Sequence, residues 1–149
     1  VTLLRPHHRN FGKGRIKSPK LYFLDAGLLC YLLGVRTPDE LLLRAERGAV
    51  FESFVVAELY KNFVHRGEQP SLYFWRDSAG HEIDIILERG AELVPVEVKS
   101  GQTVASDFLD SLVFWRGLTG DAQPPSALVY GGDQASRRSG VSIYPWYVL

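Results

Sequence analysis

Methionine is absent from all 149 residues, position 1 included, and cysteine occurs once. The first absence is expected of a fragment of a longer protein. The second excludes an internal disulfide and a multi-cysteine zinc cluster. Cys30 lies in the apolar run Leu28-Leu-Cys-Tyr-Leu-Leu33 and is expected to be a buried core thiol in a reducing compartment. No apolar run approaches the roughly 20 residues of a membrane span, and no signal-peptide pattern opens the chain. A cytoplasmic protein with no membrane partner is therefore expected. A charge surplus is also lacking: 17 basic residues face 17 acidic ones, which argues against a dedicated nucleic-acid binder. Phe11-Gly-Lys-Gly-Arg15 lacks the Gly-x4-Gly-Lys-Ser/Thr spacing that cradles phosphates, so no ATP hydrolysis is expected from these residues. No Gly-x-Ser-x-Gly elbow or Cys/His pairing offers nucleophile chemistry.

Four polar residues stand out against that background: Glu52, Asp84, Glu97 and Lys99. Glu52 lies in the apolar-periodic run Gly48–Val64. At 100° per residue Val56, Leu59 and Phe63 fall within about 40° of it, which puts Glu52 on the face that should be buried. The segments Glu82–Glu88 and Leu93–Lys99 alternate with period two. Ile83, Ile85, Leu87, Val94, Val96 and Val98 are expected on one face, and Asp84, Glu97 and Lys99 on the other. A helix packed on that second face would bring Glu52 to the same three groups. Three carboxylates and one ammonium at low dielectric are costly unless paired or bound to a cation.

The chain reads as two parts. Residues 1–46 give a short strand (Val1–Arg5), a turn around Phe11–Arg15 and an extended piece (Lys20–Leu24). A helix from Asp25 to Leu33, capped by Asp25 and stopped by Gly34, follows, and Thr37-Pro38-Asp39-Glu40 opens another. Residues 47–149 give a helix (48–65), three strands (71–76, 82–88, 93–99), a helix (104–116), a strand (126–131) and a last extended piece (141–148). Asp77-Ser-Ala-Gly80 and Arg89-Gly90 carry hairpin chemistry. The class is α/β, with a sheet antiparallel first and then mixed. Residues 1–20 hold Arg5, Arg9, Lys13, Arg15, Lys17 and Lys20 with no acid. That block fits either a phosphate-contacting surface or a solvated loop. His7 and His8 have no further His, Cys or acid at ligand spacing, and no metal role is assigned to them.

The order helix–strand–strand–strand–helix–strand, with Glu52 on the helix, Asp84 on the second strand and Glu97-Val98-Lys99 on the third, resembles the PD-(D/E)xK nuclease superfamily. Its restriction-endonuclease-like core is shared by restriction enzymes and Holliday-junction resolvases. The motif's proline is missing before Asp84, where Glu82-Ile83 stands. A closer resemblance rests on Lys17-Ser-Pro-Lys-Leu-Tyr-Phe-Leu-Asp-Ala-Gly-Leu-Leu29, Gly48-x3-Glu52, Phe74-Trp-Arg76, His81-Glu-Ile-Asp84 and Pro95-x-Glu-Val-Lys99. These look like the uncharacterised domain that follows AAA-type ATPase modules in many prokaryotic proteins, where the segment matching residues 1–24 looks like the β-wing of a winged helix.

The resemblance implies a nuclease-like domain over 47–149, a wing-like and helical extension over 1–46, and an ATPase domain elsewhere in the polypeptide. It implies Mg²⁺ or Mn²⁺ held by Asp84, Glu97 and Glu52, whose hard oxygens suit such ions. Lys99 would stabilise the phosphorane oxyanion or help deprotonate water. Gln102, just past the strand, is a secondary candidate for orienting phosphate or water, and His81 is expected to shape the hairpin. The implied substrate is nucleic acid, DNA first, with a homodimer in resolvase-like relatives. The rival expectation is a non-catalytic accessory module that binds nucleic acid or protein for the ATPase, with the charges retained as a structural network.

Overall fold

A computed structural model of the chain describes residues 1–8, 18–120 and 125–149. The turn expected at Phe11–Arg15 and most of the basic block lie outside the described residues. Among the described residues eight strands form one mixed sheet: β1 (Thr2–Pro6), β2 (Lys20–Tyr22), β3 (Leu72–Arg76), β4 (Glu82–Arg89), β5 (Glu92–Lys99), β6 (Ala127–Tyr130), β7 (Ser136–Arg138) and β8 (Val141–Pro145). Their order is β2-β1-β3-β4-β5-β6-β8-β7. β3, β4 and β5 make the expected antiparallel meander, joined by turns in which Gly80 (φ 96°) and Gly90 (φ 63°) take the left-handed region. β6 pairs parallel with β5. β1 pairs antiparallel with β2 and parallel with β3, the latter through Arg5–Tyr73 and Pro6–Phe74.

Among the described residues four helices accompany the sheet: α1 (Ala26–Leu32), α2 (Pro38–Leu42), α3 (Arg47–His65) and α4 (Asp110–Thr119). Asp25 caps α1 by accepting from Leu28 N at 2.8 Å, and Thr37 caps α2. α3 lays Val55 and Val56, both fully buried, against Phe74, Ile85, Leu87, Val96 and Val98. Each such aliphatic residue contributes about 1.5–3 kcal/mol. On the other face α4 sets Leu112 and Trp115 against Ile83, Ile86, Leu128, Tyr130 and Ile143. The helix expected from 104 begins at Asp110, after a 3-10 turn over Ser106–Leu109, and ends at Gly120 (φ 68°).

Three expectations are corrected here. β7 went unforeseen because its Ser-Arg-Arg sequence is exposed throughout and has no apolar alternation. The last extended piece stops at Pro145 and closes with a 3-10 turn, Trp146–Val148. Cys30 is part-exposed rather than a core thiol. α1 buries no residue and leaves Leu28, Tyr31 and Leu32 exposed, so its apolar run lies over the surface.

Candidate functional site

The alternation of β4 breaks at Asp84. Tyr73 pairs with Ile86 and Trp75 with Ile83, so two steps along β3 meet three along β4. That extra residue is a β-bulge, the device that re-aims a side chain. Ile83 therefore packs with α4, whereas Ile85 packs with α3. The β4–β5 ladder stops at Ile85–Val96. Beyond it β4 stays with β3 and β5 stays with β6, and the Asp84 carboxylate fills the opening: its Oδ2 accepts from Val98 N at 2.8 Å.

This geometry corrects the expectation of a single polar face beneath the helix. Val96 and Val98 pack on the α3 side. Glu97 and Lys99 alternate with them and pair with Leu128 and Tyr130, which belong to the α4 side. Glu52 comes from the α3 side. The groups meet only because the two strands part at Asp84.

Within the cluster Lys99 Nζ donates to Glu97 Oε1 at 2.7 Å. Glu97 is 4% exposed, and its Oε2 has no hydrogen-bond partner among the described residues. Burial, then the charges of Glu97 and Glu52, hold the Asp84 carboxyl well above the usual carboxylate range, against the opposing Val98 N–H and Lys99. Burial pulls the Lys99 ammonium down. The hydrogen bond and charge of Glu97, joined by Asp84 and Glu52, outweigh it and leave Lys99 above the ordinary lysine value.

Two further groups escaped the sequence reading as site residues. Lys20 Nζ lies 3.1 Å from Glu52 Oε1 and also pairs with Glu82, while the Tyr22 hydroxyl donates a short hydrogen bond to Glu52. Burial lowers the Lys20 ammonium, but Glu52 and Glu82 more than restore it. Burial and then Glu52 push the Tyr22 hydroxyl far up, so it stays a donor. The usable signal was inverted polarity on β2, where Leu21 is exposed while Lys20 and Tyr22 turn inward. Glu82 is also held by Arg76 at 3.4 Å.

Gln102 sits on the loop after β5. It lines an open groove of about 490 Å³ with Arg47, Ser100, Cys30, Phe54 and Trp146. His81 shapes its hairpin as expected: its main-chain N and ring Nδ1 both meet Asp77 at 2.9 Å, and its ring stacks on Phe114 at 3.9 Å.

The cluster's donors are carboxylate oxygens, the type that holds Mg²⁺ or Mn²⁺, and the Glu97 oxygen without a hydrogen-bond partner fits a cation ligand. Glu52, Asp84 and Glu97 are nevertheless less tightly gathered than another trio. Among the described residues, His7, His8 and Glu88 alone place three ligand atoms all within 4.8 Å of one another. The two histidines thus do have an acidic neighbour, brought by folding from 80 residues away.

Residues 47–149, the span of this opening and its charges, match the family described as a domain of unknown function, DUF4143. The chain belongs to this family. Residues 1–39 match a second family described as a domain of unknown function, DUF8612. An uncharacterized protein of Mycobacterium tuberculosis and one of Mycobacterium bovis are each 33% identical over 103 residues, covering 69% of this chain. The chain spans only 22% of the length of these relatives. No solved structure matches it. The site of this DUF4143 chain draws Glu52, Asp84, Glu97 and Lys99 from the first matched span and Lys20 and Tyr22 from the second.

Proposed function

We propose that this DUF4143 chain is a metal-dependent nuclease domain with a restriction-endonuclease-like core, acting on DNA for an ATPase module of the same polypeptide. The observation that carries this reading is Glu97: a carboxylate 4% exposed, with one oxygen on Lys99 and the other unsatisfied, beside Asp84 and Glu52. A buried polar oxygen left without a hydrogen-bond partner costs about 1–3 kcal/mol, so a fold that keeps one beside two further carboxylates is equipped to bind a cation. The four acids Glu52, Glu82, Asp84 and Glu97 face the ammonium groups of Lys20 and Lys99, and Arg76 beyond them is largely exposed.

Asp84, Glu97 and Glu52 would hold Mg²⁺ or Mn²⁺, which supplies a Lewis acid that polarises phosphate and acidifies water. Asp84 is held by Val98 N through Oδ2, which leaves Oδ1 to serve as the ligand oxygen. Lys99 presents an ammonium beside Glu97, placed to neutralise charge that grows on a phosphate oxygen during hydrolysis. Glu52, tethered by Tyr22 and Lys20, keeps its remaining oxygen for cation or water.

The test is cleavage of plasmid and linear DNA with Mg²⁺ or Mn²⁺. Asp84→Asn or Lys99→Ala should lower the rate at least about a hundredfold. Ca²⁺ should bind and support little turnover. Activity that survives both substitutions refutes the assignment.

A second reading, a non-catalytic module that binds nucleic acid or protein for the same ATPase, is favoured by the internal ammonium of Lys20. That group already bridges Glu52 and Glu82, and such a bridge is what a structural network would retain. Magnesium titration by calorimetry separates the two readings without a substrate: binding lost in Asp84→Ala supports the first, and no binding supports the second.

A further inference from the structure

The first strand is joined to the central sheet by a short ladder. Two residue pairs and one further bond, His7 N to Phe74 O at 2.7 Å, connect β1 to β3. The chain then places His7 and His8 side by side with ring centroids 4.6 Å apart, both edge-on to Tyr73. His7 is 1% exposed, whereas His8 is exposed. Glu88 arrives from β4, next but one to Ile86, the ladder partner of Tyr73. Its position is fixed by Glu88 N donating to Ser71 O at 3.0 Å. Tyr73 packs with the α4-side core, so the trio lies on that face. Along β4 it stands four residues, about 13 Å, from Asp84.

Two imidazoles and one carboxylate form the donor set of an open zinc site, with the fourth position left to water. Ligand atoms around a tetrahedral zinc stand about 3.3 Å apart, given bonds of about 2.0–2.1 Å. The trio's atoms lie within 4.8 Å of one another, and rotation of the exposed His8 side chain and the part-exposed Glu88 closes the difference. The set is also chemically unlike the carboxylate cluster: imidazole favours zinc and its first-row neighbours, whereas all-oxygen groups favour magnesium and manganese. One chain thus offers two cation positions of different selectivity.

We propose that His7, His8 and Glu88 bind a zinc-type divalent ion that fastens β1 to the central sheet. The ion would bridge the span matching one family to the span matching the other, and so anchor the strand adjoining β2, which carries Lys20 and Tyr22 to the carboxylate cluster.

The experiment uses the tag-free chain carrying Asp84→Asn, which disables the carboxylate site. Zinc is titrated by calorimetry and cobalt by visible absorption. His8→Ala and Glu88→Gln are the comparison variants, since the first side chain is exposed and the second part-exposed. One equivalent of zinc should bind at micromolar or lower concentration, and each variant should weaken binding at least about tenfold. Cobalt should give a visible d–d band that both variants lose. Zinc should slow amide exchange in β1 and β3 of the parent and leave Glu88→Gln unchanged. Absence of binding at about 100 µM zinc, or binding undiminished in both variants, overturns the site. Binding without slower exchange in β1 overturns the fastening role.

Discussion

Replacing Asp84 by Asn separates a working cation site from a structural ion network. Asn keeps an oxygen that accepts from Val98 N, now 2.8 Å from Asp84 Oδ2, so the bond in the strand opening survives. It becomes a neutral bond, which costs about 1 kcal/mol. Against that loss, the substitution removes a charge disfavoured by burial and by Glu97 and Glu52. The Asp84 shift is upward, so its surroundings penalise the anion on balance. Stability at neutral pH should stay unchanged or rise by about 1 kcal/mol, which is about 2–4 °C for a chain of this size.

The pH dependence follows from the same sign. Asp84 keeps its proton to a higher pH in the folded chain than in the unfolded one, where it titrates near 3.9. Its favourable contribution is complete below that value and is lost as pH rises through the folded pKa. The advantage of Asp84→Asn should therefore disappear near pH 4 and grow above it. Magnesium at about 100 times its Kd adds about 2.7 kcal/mol by linkage. That is roughly 5–10 °C in the parent, and the variant should lose most of it. Thermal melts at several pH values, with and without Mg²⁺, measure every term. A several-kcal/mol loss in Asp84→Asn, together with no response to Mg²⁺ in the parent, would refute the reasoning and leave a structural network in its place.

Lys20→Met should cost about 1–2 kcal/mol in urea unfolding, less than the 3–5 of a fully buried pair, because the carboxylates it strands keep 23% and 24% of their exposure. Mg²⁺ should restore more stability to that variant than to the parent, and an unchanged midpoint would show the bridge to be energetically idle. Gly131→Ala should cost about 1–3 kcal/mol. Its Cβ would meet the Ser100 carbonyl oxygen at 2.5 Å, and Gly131 N donates to Lys99 O at 3.0 Å. A neutral result in urea unfolding would mean that this loop yields freely.

The sequence alone carried the local elements, because their signals are local. Asp25 and Thr37 announce helix caps, Gly80 and Gly90 announce turns, and the alternation of β5 announces a strand. It also singled out Glu52, Asp84, Glu97 and Lys99, since a charge at an apolar-periodic position is visible without neighbours. What it misjudged was the face. Strict alternation sets Glu97 and Lys99 opposite Val96 and Val98, as found, but α3 packs on the apolar Ile85, Val96 and Val98 side rather than over the polar one, and nothing in Glu-Ile-Asp-Ile-Ile-Leu marks the bulge that re-aims Asp84. Tertiary structure alone decided the partners. Lys20 and Tyr22 reach Glu52 across 32 and 30 residues, and Glu88 reaches His7 and His8 across a longer span. A side chain's local pattern fixes which element it occupies. Which distant charge it meets depends on strand order and register, and those are set by how whole faces bury against one another.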